Sequence, residues 1–194
     1  MRQITSILVV VLTLAVSLVI SACDSNDNSF SDQSPRIKIL LTDAPRAQIT
    51  KADVTISRVE IVGADGVTQT LSETKQDFDL LTLQDGAVAD LVDTPLNEGV
   101  FNHLLLFVEE DANVTYDDDS VAELTIPSGF QSGVKILLHD VELYNETDSK
   151  VLTLTLDFDV LESFVDAGES GKLIFMPVIT LKKVEMNGEA LLLE

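Results

Sequence analysis

Asp157 and Asp159 stand two residues apart in "LTLDFD". On an extended strand that spacing puts both carboxylates on one face. With oxygens from a neighbouring strand, such a pair could hold Ca²⁺, which takes about six to eight oxygen ligands. "DDD" at 117–119 offers similar chemistry in a loop. Neither group sits in a D-x-[DN]-x-[DN]-G calcium loop. Asp157 and Asp159 are therefore the candidate metal ligands, with a solvated strand face as the simpler reading, and no cofactor is expected. A glycosidase-like carboxylate pair would want a cleft rich in aromatics, and the chain has no Trp and two Tyr.

The two histidines offer less. His103, in "VFNHLLLFVEE", alternates onto the face of Phe101, Leu105 and Phe107 and reads as a packed strand residue. His139 lies next to Asp140 at an expected strand bulge, and adjacent residues do not form a catalytic dyad. There is no G-x-S-x-G elbow. "PSGFQSGVK" lacks the spacing of a phosphate loop and precedes the β-like "VKILL" instead of a helix. The expectation is a protein that is not an enzyme.

Cys23 is the only thiol, so neither an intramolecular disulfide nor a cysteine-ligated metal site is available. Its chemistry is set by what precedes it. A basic start, the apolar run "ILVVVLTLAVSLVI" and the small residues Ser21 and Ala22 describe a secretory signal peptide. The run is shorter than the roughly 20 apolar residues of a spanning helix. "VISAC" resembles a bacterial lipobox, in which the cysteine is acylated and becomes the mature N-terminus. Residues 1–22 then form the leader, and Cys23 is the expected lipidation site. A lone acyl chain binds membranes marginally and several bind firmly. Residues 23–35, Cys23 and "DSNDNSFSDQSP", read as a disordered tether. The expected location is the bacterial cell envelope, on either membrane, with the lipid as the membrane contact.

The mature chain carries 11 basic and 33 acidic residues, a net charge of 11 − 33 = −22. Such a surface repels nucleic acid and anionic lipid, so neither is an expected ligand.

The elements that must position these residues are strands. "VLTLTLDFD" puts Leu152, Leu154, Leu156 and Phe158 on one face and its threonines and aspartates on the other. "RIKILLT" and "VAELTIP" read similarly. In "ADVTISRVEIV", Val54 and Ile56 are out of phase with Val59 and Ile61, and a bulge near Ser57–Arg58 would restore one buried face. "VFNHLLLFVEE", apolar on both faces in its second half, reads as a central strand. Short turns, "GADG", "DDDS", "NETDS" and "NG", join strand-like runs as hairpins. The one helical candidate is "LLTLQDGAVADLVD", interrupted by Gly86. About nine strands with at most one short helix argue for an antiparallel β-sandwich over residues 36–194.

Five segments occur together: "LLTDAP" at 40–45, "FDLLTLQDG" at 78–86, "PSGFQSGVK" at 127–135, "LTLDFDV" at 154–160 and "MPVI" at 176–179. In this order they resemble the bacterial envelope family known as domain of unknown function 4382. The resemblance implies a secreted or lipid-anchored sandwich, similar to transthyretin-like or immunoglobulin-like domains, with no catalytic residues to carry over. The functional expectation is a non-enzymatic binding or adhesion module for an envelope protein or glycan. The loops "TDAPR", "PSGFQSG" and "DAGESG" are its candidate surfaces. The alternative is a Ca²⁺-dependent or enzymatic module using the surface carboxylates.

Overall fold

Period-two alternation yields strands that bury one face, and these strands assemble into two sheets around one core. The computed structural model describes residues 34–43, 49–125, 127, 132–144, 150–166 and 173–191. Cys23, the leader, most of the tether and the centres of the three candidate loops lie outside the described residues.

The first sheet has the order β14 (Glu189–Ala190), β13 (Ile179–Met186), β10 (Val151–Phe158), β1 (Arg36–Asp43) and β5 (Ala89–Pro95). Its inner face supplies Ile37, Ile39, Leu41, Leu152, Leu154, Leu156 and Phe158, all fully buried. Its outer face is charged, with ion pairs Arg36–Asp93, Lys38–Asp90 and Lys182–Asp157.

The second sheet is built along the long strand β2 (Ile49–Gly63). One side of β2 pairs with β3 (Thr68–Ser72) and β4 (Gln76–Asp79) in succession. The other side pairs with β6 (Gly99–Val108) and then β7 (Asn113–Tyr116). Beyond these the sheet forks. β9 (Val134–Leu143) extends it past β6, while β8 (Val121–Thr125), β12 (Leu173–Phe175) and β11 (Phe164–Asp166) extend it past β7. The β12 and β11 branch joins the first sheet through stacked rings: Phe175 lies 5.9 Å from Phe158 and 5.3 Å from Phe164.

The fold is thus an all-β sandwich, with fourteen strands among the described residues where nine were expected. Short breaks divide the β3–β4 and β6–β7 tracks, and β11, β12 and β14 are only two or three residues long. Two pairs depart from the antiparallel expectation: β1 with β10, and β8 with β12, are parallel. Parallel neighbours need a long crossover. Between β1 and β10 the chain makes it by passing through the other sheet. "NETDS" accordingly links strands of different sheets, β9 and β10, and closes no hairpin. The helical candidate 80–93 contracts to one 3-10 turn, Leu80–Leu83, after which β5 begins. A second single turn, α1 (Val160–Ser163), follows β10.

Three neighbouring strands share one irregularity. The buried residues Ile56 and Val59, Phe101 and Leu104, and Leu138 and Val141 are each three apart. An odd spacing can face one core only if an extra residue is inserted. In β2 the extra residue is Ser57, whose hydroxyl donates to the Phe107 carbonyl. In β6 it falls at Asn102, between Phe101 and His103. In β9 it falls at His139–Asp140, both in the left-handed region at φ 53° and 57°. The shift at Asn102 corrects the placement of His103. Phe101 is in the core, whereas His103, Leu105 and Phe107 lie half-buried on the opposite face.

Candidate functional site

The sandwich has two poles. At the entry pole Pro35 leads into β1, and its carbonyl accepts the Leu96 N–H at 2.9 Å. The β2–β3 turn, the β5–β6 connection and the end of β9 gather there. At the far pole β1 and β10 end, and the 3-10 turn and α1 close the core.

Polar residues of the far pole point inward. Thr42 is buried, and its hydroxyl lies 3.0 Å from the Leu83 carbonyl oxygen and 2.9 Å from that of Ala87. Asp43, also buried, accepts the Val160 N–H at 3.2 Å. Asp79 caps the 3-10 turn by accepting from Leu81 and also accepts from Ala52. Asp159 caps α1 by accepting the Glu162 N–H at 2.9 Å, and the buried Ser163 hydroxyl accepts the Val178 N–H. N-terminal amides of a helix lack partners within it, so an aspartate just before a turn is a ready acceptor.

This accounts for the two candidate metal ligands. Asp157, on the outer face of β10, pairs with Lys182 at 2.9 Å. Asp159, beyond the strand end, is turned to its cap. The structure therefore gives each carboxylate a separate partner and does not bring the two onto a common ligand. In the acidic turn, Asp118 accepts from the Ser120 hydroxyl and backbone N–H, which lowers its pKa. Among the described residues no group of three or more His, Cys, Asp or Glu side chains could hold a metal ion. His103 is held below its ordinary pKa by burial, and secondarily by Lys135.

Concavity is found at the entry pole. A cavity of about 720 Å³, open to solvent, lies between the β2–β3 turn, β3, the β5–β6 connection and the end of β9. Pockets of roughly 300–1,000 Å³ are the usual size for small ligands. Its local structure follows from turn chemistry. Gly66 takes φ +80°, a left-handed conformation that costs glycine little. Asp65 accepts the Val67 N–H at 2.9 Å and fixes the hairpin tip. Gln69 ties the opposite wall: its amide donates to the Pro95 carbonyl and its oxygen accepts the Asn97 N–H. Phe101, nearly buried, also lines the cavity, and exposed Tyr144 lines its margin. None of the lining residues is Lys or Arg.

Sequence reasoning missed this site. Its residues come from three distant segments, none of which carries a motif. The available signals were the two turn sequences, "GADG" and "PLNEG", and the rarity of tyrosine.

Among the described residues no helix is long and apolar enough to cross a membrane. Comparison with curated proteins and with solved structures gives no match. Four of the five segments of family resemblance nevertheless share a structural logic. Thr42 and Asp43, the 3-10 turn after Asp79, the cap Asp159 and the Val178 amide are joined by the hydrogen bonds of the far pole. Residues 34–177 match one family model, and the chain belongs to that family, described as domain of unknown function (DUF4382).

Proposed function

We propose that this protein is a bacterial envelope lipoprotein, held by lipid on Cys23, whose β-sandwich is a non-enzymatic binding module. Its ligand, an envelope protein or glycan, occupies the cavity at the entry pole. The observation that carries this reading is that cavity: a rigid sheet end presents turns around a concave surface of about 720 Å³. The acid-rich composition, with a mature charge of −22 (11 − 33), argues against nucleic acid and anionic lipid as ligands.

The test uses the full-length protein in its membrane. Vesicles carrying it are expected to retain a component of envelope extract, and Thr70→Trp, which places an indole in the cavity, is expected to release it. Equal retention by both proteins would refute the reading. Mass spectrometry of the protein extracted from the carbonate-washed membrane pellet is expected to find acyl groups on Cys23 at the mature N-terminus. An unacylated Cys23 would mean that the lipid anchor is wrong.

A further inference from the structure

We infer that the entry-pole cavity binds an uncharged sugar chain. The inference rests on the binding-module reading and narrows its ligand.

The argument starts from which polar groups of the cavity are still available. Gln69 is used at both ends of its amide, by Pro95 and Asn97. Asp65 is engaged by the Val67 amide. By contrast the side chains of Thr68, Thr70, Asn97 and Tyr144 make no hydrogen bond among the described residues, and all four are exposed. Three hydroxyls and one primary amide remain. Each can both donate and accept, and none is charged at neutral pH.

That set matches a sugar. A saccharide hydroxyl also donates and accepts, so hydroxyl and amide partners satisfy it without the desolvation of a charge. A pyranose also has a C–H face, which packs on an aromatic ring. The exposed phenol of Tyr144 supplies a ring with a polar tip. Val67, 64 % exposed, extends the apolar contact. The absence of Lys and Arg among the lining residues and the presence of Asp65 and Glu98 disfavour an anionic ligand. The cavity opens to solvent, which suits an internal stretch of a chain.

The chain supplies its own reporter, because it has no Trp and two Tyr. Tyr116→Phe leaves Tyr144 as the sole emitter. This full-length variant, in a detergent without sugar head groups, is titrated with oligomers of β-1,4-glucose, α-1,4-glucose and β-1,4-N-acetylglucosamine, and with anionic oligogalacturonate. At least one neutral oligomer is expected to change Tyr144 emission saturably, and oligogalacturonate is not. Adding Asn97→Ala is expected to weaken that binding by about tenfold, as one hydrogen bond of about 1.4 kcal/mol predicts. If no neutral oligomer acts while envelope extract is still retained and released by Thr70→Trp, the sugar assignment is overturned and the binding module stands. Retention that survives digestion of the extract with glycosidases for these three linkages and is lost to protease overturns it in the same way. If retention also fails, both readings fall together.

Discussion

The two poles of the sandwich are built from the same kinds of residue and use them in opposite ways. At the far pole Thr42, Asp43, Asp79, Asp159 and Ser163 turn their oxygens toward backbone amides and carbonyls, and three of them are buried. At the entry pole Thr68, Thr70 and Asn97 face solvent around a cavity. A buried polar group is costly unless partnered, so the far pole can hold its polar residues only by using them in the fold. An exposed one is already satisfied by water and can exchange that water for a ligand. Residue type alone therefore does not distinguish a structural threonine from a binding one. What lies above it does.

Substitutions should sort by pole. The largest effect is expected at Phe158, fully buried and stacked on Phe175, next to the far pole. Phe158→Ala should cost about 3–5 kcal/mol in denaturant unfolding. A variant that melts with the wild type would break the assignment of this pole as the structural one. Next comes Asp159→Ala, which removes the α1 cap and should cost about 1 kcal/mol, while Asp159→Asn should cost much less because asparagine caps as well. Equal losses from the two would mean that charge, not capping, is what Asp159 contributes.

A smaller effect concerns pH. The folded state keeps the His103 pKa below the ordinary 6.5 through burial and then Lys135. As pH falls below that value the unfolded chain takes up a proton that the folded chain resists, so stability is lost down to the folded pKa. His103→Gln should flatten this arm of the stability–pH curve relative to wild type. Superimposable curves would show that His103 does not contribute to it. The smallest expected effect sharpens the comparison most. Asn97→Ala should leave stability within about 0.5 kcal/mol, the range of surface changes away from special features. If it destabilises as Asp159→Ala does, the entry pole is structural too.

Much of the fold was legible in the sequence, and for identifiable reasons. Period-two alternation located β10 and β1 and their buried faces. The out-of-phase pair Ile56 and Val59 disclosed the bulge at Ser57, because a strand cannot bury an odd spacing without one. The same sign was present at Phe101–Leu104 and was not used, so His103 was assigned to the wrong face. Strand order was not legible. Whether β1 lies beside β10 depends on pairing across more than a hundred residues, and neither strand's own pattern encodes its neighbour. The pairing of Asp157 and Asp159 failed for a local reason, since the strand ends between them. The cavity was hidden because Gln69, Asn97 and Tyr144 meet only once β3, the β5–β6 connection and β9 converge.

The bond from Leu96 N–H to the Pro35 carbonyl bears on how such a module would carry mechanical load. If the proposed lipid anchor on Cys23 holds, pull reaches the sandwich through the chain that enters at Pro35. If its ligand sat at the far pole, tension would run the length of β1 and shear the eight register pairs that join it to β10. With the ligand beside Asn97, one residue from Leu96, the force enters and leaves at the same pole. The circuit is then a few residues long, and the Pro35 contact is the link that yields first. The strands behind it are loaded only after that contact gives, so a modest pull would be taken up at the rim of the module before it reached β1.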